Sequence, residues 1–304
     1  MINPNRYWLR LLGFFLISLG LAVLALPSLL GALTLLGIMH APCTGDGPNP
    51  ADFGYAAEDV TISMSAEGGH FRAYFIPGRN GATIIVPPAV SHGRGSRWAE
   101  TQLLLDHGYS ILTFESRPCA GLGPFTLGYE EVEQVGAALA YLHSRPEVDP
   151  TRIGIHGFSS AGATAVMAAA RLPEIQAVVA EGGYGNFAED SLGLTQRGGP
   201  AGYVERAYRW PFRPLYRLAA GHRIEVLCPV CVIDQIAPRP VLLIYGSEEV
   251  SLPGARRQQA AGGDTVTLWV VEGAGHGNYL AVAPEEYERR LIEFFDGVLL
   301  SESD

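Results

Sequence analysis

The amino-acid sequence predicts an α/β fold with a doubly wound, mostly parallel sheet, on three observations. Short apolar runs recur along the chain without polar alternation, as strands buried on both faces require. Stretches with helical periodicity separate those runs. A serine lies in a turn of small residues, GFSSAG from Gly157 to Gly162, between one apolar run and an Ala-rich stretch. A helical cap insert and an N-terminal transmembrane helix complete the predicted architecture.

The chain begins with a long apolar run. No charged side chain occurs from Leu11 to Met39, about 29 residues against the roughly 20 that cross a bilayer as a helix. A signal peptide has a shorter apolar region, and a core helix is rarely apolar all round, so we expect residues 1–39 to form a retained membrane anchor. Pro27 either kinks this helix or separates a span from an interfacial piece.

The charges that flank the apolar run predict its orientation. Arg6 and Arg10 precede it, and no basic residue except histidine follows until Arg72. The positive-inside rule then places the N-terminus in the cytoplasm and the rest of the chain outside it, as a single-pass membrane protein. Residues 40–57, rich in Pro, Gly and Asp, are expected to form a juxtamembrane linker.

Composition excludes one class of partner. The chain has a formal net charge of −10, and its 21 basic residues are all arginines. These arginines are spread along the chain and form no basic stripe, so nucleic acid is not expected as a partner. Four cysteines are too few for a disulfide scaffold at this length.

Residues 58–304 are expected to form the globular domain. Two strand-like runs, 59–66 and 70–77, are joined through Glu67 and two glycines, which predicts a hairpin at the edge of the sheet. Six continuous apolar runs follow at 82–86, 110–114, 152–156, 177–180, 241–245 and 266–271. Tyr129 to Arg145 is predicted to be an amphipathic helix, with acidic residues in its first turn.

Reactive groups in such sheets gather beyond the carboxyl ends of the strands. The polar residues that directly follow the apolar runs include Ser159, Glu249 and His276. Ser159 lies on a sharp strand-to-helix turn, the setting of a nucleophile elbow, and Gly157 and Ala161 supply the small residues that this turn requires.

A serine is a weak nucleophile unless an imidazole takes its proton and a carboxylate orients that imidazole. His276 follows the last strand run in a glycine-flanked loop, and it could serve as this base. We expect Glu249 to be the acid, with Glu248 its immediate alternative and Glu181 a third. The order nucleophile, acid, histidine is one that serine hydrolases use.

From about Asp59 to Leu300 the sequence resembles the α/β-hydrolase fold, in particular its bacterial dienelactone-hydrolase-like and esterase-like branch. Three further segments carry the resemblance, namely RPEVDPTRIGIHGFSSAGA, IAPRPVLLIYGSEE and GAGHGNYLAVAPEEYERRLIEFF. The resemblance implies a serine hydrolase with Ser159 as nucleophile, His276 as base and Glu249 where the branch commonly has Asp.

The oxyanion hole is where this chain departs from the family. The family usually has His-Gly after the strand that corresponds to 82–86, and this chain has Pro87 and Pro88, which lack an N–H group. We expect Ser160 N–H to be the first donor and Ala89 N–H the second, with Val90 behind it. The later residues 92–95 are expected to be a surface loop. Glu115 and Arg117 preserve the charges of a family turn and are expected to be structural.

Asn186 to Ile236 is too long for a simple connection and should form the cap. Its aromatic and arginine side chains either line an acyl pocket, contact the membrane surface or pack the cap onto the body. Cys228 and Cys231 either form a small-loop disulfide or stay as buried free thiols, and we favour free thiols.

The function predicted from these features is that of a membrane-anchored, carboxylesterase-like serine hydrolase that acts on a small-molecule ester. No metal or organic cofactor is implied. The alternatives are a peptidase or thioesterase with the same triad, and a non-catalytic α/β-hydrolase-like binding module. Oligomeric state is left open.

Overall fold

A computed structural model describes residues 4–64, 68–193 and 197–301. Its sheet has the strands β1 (Glu58–Ser63), β2 (His70–Ile76), β3 (Thr83–Val86), β4 (Ser110–Phe114), β5 (Ile153–Phe158), β6 (Ala177–Glu181), β7 (Val241–Gly246) and β8 (Val266–Val271). The spatial order is β1-β2-β4-β3-β5-β6-β7-β8. The first two strands and β4 pair antiparallel, and every other pair is parallel. The predicted fold class is therefore confirmed.

The helices are α1 (Pro4–Met39), α2 (Trp98–Asp106), α3 (Arg117–Ala120), α4 (Glu131–His143), α5 (Ser160–Arg171), α6 (Phe187–Leu192), α7 (Gly199–Arg209), α8 (Phe212–Ala220), α9 (Leu252–Gly262), α10 (Tyr279–Val282) and α11 (Pro284–Phe295). Side chains of α4, α5 and α9 pack on one face of the sheet, and those of α2 and α11 on the other. The central strands are therefore buried on both faces, which explains their uninterrupted apolar sequences.

The eight predicted strand runs all form strands, with ends that shift by three residues at most. The hairpin prediction is confirmed for its two strands, whereas residues 65–67 of its connection lie outside the described residues. The helix predicted over Tyr129–Arg145 is α4, two residues shorter at each end.

Helix α1 is one continuous helix with Pro27 inside it. Its segment Leu11–Met39 has a mean hydropathy of 2.3, long and apolar enough to cross a membrane. Only 17% of the most apolar stretch is buried, so α1 is not a core helix. The last turns differ, since Leu35 and Met39 pack completely against the cap and the segment before α4.

The predicted linker is tied to the globular body. Cys43 forms a disulfide with Cys119, and the Asp46 carboxylate lies 2.7 Å from Arg94. Residues 93–95, with the Arg94 side chain, are buried and only His92 is exposed, so the expectation that residues 92–95 form a surface loop is wrong for 93–95. Its burial follows from the polar partners that Asp46 and Asp59 provide.

The cap segment consists of α6, α7, α8 and three short 3-10 turns. The expectation of free thiols in the cap is wrong, because Cys228 and Cys231 form a disulfide with each other. The 3-10 turn Pro229–Cys231 brings their Cα atoms to 5.3 Å, a separation that a disulfide spans readily. Glu115 has the structural role we expect, since it pairs with Arg72 at 2.8 Å.

Candidate active site

The serine turn joins β5 to α5 in a sharp, strained bend. Ser159 has φ 57° and ψ −125°, outside the range that most L-residues adopt. A Cβ on Gly157 would lie 2.1 Å from the carbonyl oxygen of Ala161, so only glycine fits there. Ser159 N–H donates to the carbonyl of Glu181 at 2.7 Å, which fixes the bend against the neighbouring strand. Strain that the surroundings hold in place is typical of a functional turn.

His276 reaches Ser159 from the loop that follows β8. Its Nε2 lies 3.1 Å from Ser159 Oγ. Gly277, at φ 85°, lets the loop turn back at this point. The Phe158 ring packs against the imidazole with centroids 4.8 Å apart. Phe158, the residue before Ser159, therefore holds the imidazole over the serine.

Glu249 lies on the other side of His276. Its Oε2 is 3.2 Å from His276 Nδ1, and its Oε1 accepts a hydrogen bond of 2.9 Å from Gly246 N–H. The hydroxyls of Ser251 and Tyr279 also donate to this carboxylate. The structure thus joins the three residues that the sequence singled out in one chain of hydrogen bonds.

The electrostatic state of Glu249 follows from these contacts. Burial raises its pKa, but the hydrogen bonds from His276, Tyr279, Gly246 and Ser251 outweigh that effect and lower the pKa overall. Glu249 is therefore ionised at neutral pH. An ionised acceptor keeps a proton on His276 Nδ1, which leaves Nε2 free to accept the proton of Ser159.

The two alternative acids lie elsewhere. Glu248 is exposed at the pocket rim, because the turn that puts Glu249 inward puts its neighbour outward. Glu181 is buried beneath the site, where its Oε1 lies 3.0 Å from His156 Nε2. It also contacts Arg97 and Tyr287, so its carboxylate is already occupied.

A pocket of about 520 Å³ opens in front of Ser159, mostly between apolar side chains of the body and the cap. Its lining residues are Val90, Leu127, Ser159, Ser160, Gly182, Tyr184, Phe187, Ser191, Glu248, Glu249, Val250, Ser251 and His276. A pocket of this size accommodates a small organic substrate.

The predicted oxyanion donors lie at different positions relative to this pocket. Ser160 lines it, and its position at the start of α5 leaves its N–H outside the helical hydrogen bonds. Ala89 is half-buried and does not line the pocket, whereas its neighbour Val90 does. The second donor thus remains a prediction, with Val90 N–H the nearer candidate.

One wall of the pocket is a strained backbone segment. Leu127 has φ 61°, a left-handed conformation that costs energy for a branched side chain. The Tyr184 hydroxyl donates to the Leu127 carbonyl at 2.6 Å. Buried Glu131 accepts hydrogen bonds from the amides of Thr126 and Gly128 on either side. These contacts hold Leu127 in place as a wall of the pocket.

Sequence reasoning missed several residues that support the site. Tyr279 follows His276 by three residues, and nothing in its sequence context indicates a hydrogen bond to Glu249. Arg97 is equally hidden, since it comes from a distant loop to stack on Phe158 at 4.1 Å and to donate to the Gly277 carbonyl. Only the tertiary fold brings these residues to the site.

The chain is similar in sequence to one protein family and to a mycobacterial protein. A family model described as BAAT / acyl-CoA thioester hydrolase C terminal matches residues 131–205, the segment that includes the serine turn. An uncharacterized protein of Mycobacterium tuberculosis is 25% identical over 248 residues, which cover 79% of this chain and 80% of the relative.

Solved structures share the fold. An esterase of Pyrococcus furiosus superposes with a TM-score of 0.68 at 20% identity, covering 85% of this chain and 98% of the esterase. The 2,6-dihydroxy-pseudo-oxynicotine hydrolase gives 0.60 at 19% identity, covering 81% of this chain and 70% of that one. An acylaminoacyl peptidase of Pyrococcus horikoshii gives 0.59 at 17% identity, with coverage of 82% and 42%. The sheet topology and these structures show that the chain has the α/β-hydrolase fold, and its segment 131–205 is similar to a family of acyl-CoA thioester hydrolases.

Proposed function

We propose that the chain is a membrane-anchored serine hydrolase that cleaves carboxylic esters through an acyl-enzyme. The observation that carries the proposal is the hydrogen-bond chain from Ser159 Oγ through His276 to Glu249, with distances of 3.1 and 3.2 Å. These are the distances that proton transfer from a serine requires.

The first half of the reaction forms the acyl-enzyme. Ser159 Oγ attacks the ester carbonyl carbon while His276 Nε2 takes the hydroxyl proton, and Glu249 stabilises the imidazolium. The carbonyl oxygen becomes an oxyanion, which accepts hydrogen bonds from Ser160 N–H and from the 89–90 backbone. The carbon–oxygen bond to the alcohol then breaks, and the departing alkoxide takes the proton from His276.

The second half releases the acid. A water molecule gives a proton to His276 and attacks the acyl carbon, and a second tetrahedral intermediate forms. Its collapse breaks the bond to Ser159 Oγ, which recovers the proton from His276. The apolar pocket walls favour an acyl or alcohol group with little charge.

The test is hydrolysis of a short-chain aryl ester by the full-length protein and by Ser159→Ala. We expect Ser159→Ala to lose turnover while keeping the fold, measured by circular dichroism. Equal hydrolysis by both forms at matched folding contradicts the proposal. Ser160→Ala is the matched control, since it keeps the backbone N–H that the mechanism uses.

A thioesterase is the second candidate, because the family model that matches residues 131–205 is described as that of acyl-CoA thioester hydrolases. The two activities share the triad and differ in the leaving group. Turnover of an oxygen ester and of an acyl-CoA thioester with the same acyl chain separates them. A preference for the thioester favours the second candidate.

The membrane location is also part of the proposal. The long, largely exposed apolar helix α1 supports an anchor, and the two disulfides favour an oxidising compartment, consistent with a domain outside the cytoplasm. Protease treatment of intact cells tests this placement. We expect cleavage of the globular domain, and full protection contradicts the orientation.

A further inference from the structure

Helix α7 of the cap lies alongside the apolar helix α1. The Tyr203 hydroxyl donates to the Leu24 carbonyl at 2.7 Å, and Ser28 Oγ donates to the Ala207 carbonyl at 2.9 Å. Both pairs have the same sequence separation of 179 residues. The two helices therefore run side by side in the same direction.

The contact between the two helices is close. A Cβ on Gly31 would lie 1.8 Å from the carbonyl oxygen of Tyr208, so the absence of a side chain at this position lets the backbones meet. Pro27 is buried on the same side of α1. This packing fixes the height of α7 along the α1 axis.

The face of α1 that points away from α7 is exposed and apolar. This face continues toward the C-terminal end of α1, past the level at which α7 begins. Leu26, Leu29, Leu30 and Leu33 are each at least half exposed. From Leu11 to Leu33 the helix rises about 33 Å, close to the thickness of the hydrocarbon core of a bilayer, about 30 Å. If α1 spans the membrane, the outer edge of the hydrocarbon lies near residues 30–33.

The start of α7 then lies below that edge. Tyr203 is level with Leu24, which is about 9 to 14 Å deeper than residues 30–33 at a rise of about 1.5 Å per residue. The residues from Gly198 to Val204 carry no charged side chain, and Val204 is 50% exposed. Exposed Arg197 precedes this uncharged stretch, and charged residues follow it from Glu205, which pairs with Arg209 at 2.6 Å nearer the edge.

We propose that the first two turns of α7, residues 199–204, are inserted among the acyl chains of the outer leaflet beside α1. The inference rests on the anchoring part of the proposed function and is independent of the esterase chemistry. Exposed apolar side chains at this depth gain the contacts with lipid that water does not offer. Arg206 donates to the Arg197 carbonyl and Arg209 to the Gly193 carbonyl, so both guanidiniums satisfy backbone groups beside α7.

The insertion holds the cap, and with it the pocket, at the membrane surface. Leu35 and Met39 lie in the same apolar cluster as Leu127 and the pocket residues Tyr184 and Phe187. These α1 residues are only a few residues above the hydrocarbon edge, in the headgroup layer.

The experiment uses the full chain reconstituted in phosphatidylcholine vesicles, with and without phosphatidylcholine brominated in its acyl chains. In a background with Trp8→Phe and Trp210→Phe, one tryptophan reporter is added at a time, and the signal of the two remaining tryptophans, Trp98 and Trp269, is measured in the background protein and subtracted. The reporters are Val204→Trp in α7, Leu19→Trp in the middle of α1, and Val282→Trp in the body, an exposed valine as the matched control. Ala201→Trp replaces Val204→Trp should that variant lose its circular dichroism spectrum.

We expect brominated lipid to quench Val204→Trp and Leu19→Trp to a similar degree and to leave Val282→Trp unchanged. Quenching of Leu19→Trp without quenching of Val204→Trp overturns the inference and leaves the anchor intact. Absence of quenching at Leu19→Trp overturns both the anchor and the inference.

Discussion

The ring of Phe158 packs against the imidazole of His276, with centroids 4.8 Å apart and planes tilted by 37°. The Arg97 guanidinium stacks on the Phe158 ring. Arg97 also donates to the carbonyl of Gly277, the residue after His276. This stack holds the histidine from a direction that Glu249 does not reach. We infer that Phe158 is a positioning residue for the histidine.

We expect Phe158→Ala to lower kcat for ester hydrolysis by about 10- to 100-fold, since a base displaced by an ångström loses much of its effect. Phe158→Leu fills part of the space and should recover part of the loss. Steady-state kinetics of both variants provide the measurement. A Phe158→Ala variant that changes KM alone contradicts a positioning role.

The carboxylate of Glu249 provides a second prediction. Glu249→Gln removes the negative charge that stabilises the imidazolium, so turnover should fall by about 10²- to 10⁴-fold. Glu248→Gln, on the neighbouring exposed residue, should stay near the wild-type rate. Kinetics of the two variants distinguish the adjacent acids, and a larger loss in Glu248→Gln contradicts the assignment of Glu249.

Glu249 also makes stability depend on pH. The pKa of Glu249 is lowered in the fold below its ordinary value of 4.5, so this group stabilises the folded state above that pH and loses the effect as the pH falls through its folded pKa. The difference in Tm between wild type and Glu249→Gln should therefore shrink in acid. Thermal unfolding from neutral pH to about pH 3 measures it. A constant difference over that range argues against an ionised Glu249.

A buried contact between Glu181 and His156 beneath the serine turn gives a prediction on stability. Hydrogen bonds and charge from His156 outweigh burial and lower the pKa of Glu181, so the carboxylate is ionised in the core. His156→Ala removes a main partner and should reduce the free energy of unfolding by about 3–5 kcal/mol.

The chain offers a surface pair of the same kind as a control. His107 Nε2 lies 2.9 Å from an exposed Glu288 carboxylate. His107→Ala should change the free energy of unfolding by no more than about 1 kcal/mol. Denaturant unfolding compares the two variants, and equal effects contradict the role of the buried pair.

The two disulfides should differ in their effect on stability. Cys43–Cys119 closes a loop with a sequence separation of 76, whereas Cys228–Cys231 closes one of 3. Replacing the first pair by serine should lower the free energy of unfolding by about 2–5 kcal/mol, and replacing the second pair by less. Chemical denaturation of the two double variants checks this order. The reverse order contradicts it.

Much of the fold could be predicted from the sequence because it depends on local pattern. Strands β3 to β8 are the six predicted apolar runs, and strand β4 is the predicted run Ser110–Phe114 without change. Ser159, His276 and Glu249 could be singled out because each follows a strand, where parallel sheets collect their reactive groups.

The remaining features depend on how distant parts of the chain meet. Only the folded turn explains why Glu249 and not Glu248 contacts His276, because it directs the Glu249 side chain inward and leaves Glu248 exposed. The bond between Cys43 and Cys119 joins the predicted linker to helix α3 of the body, and no spacing rule connects the two cysteines. The contact of α1 with α7 is equally non-local, because Leu24 and Tyr203 are separated by 179 residues in the sequence.

The central claim is that Ser159 is an activated nucleophile, and a fluorophosphonate probe tests it most directly because the probe reacts with serines that a base has activated. Mass spectrometry of the labelled full-length protein should find the adduct on Ser159. The adduct should be absent in Ser159→Ala and retained in Ser160→Ala. Folded wild-type protein that takes no label, or an adduct that survives in Ser159→Ala, contradicts the account.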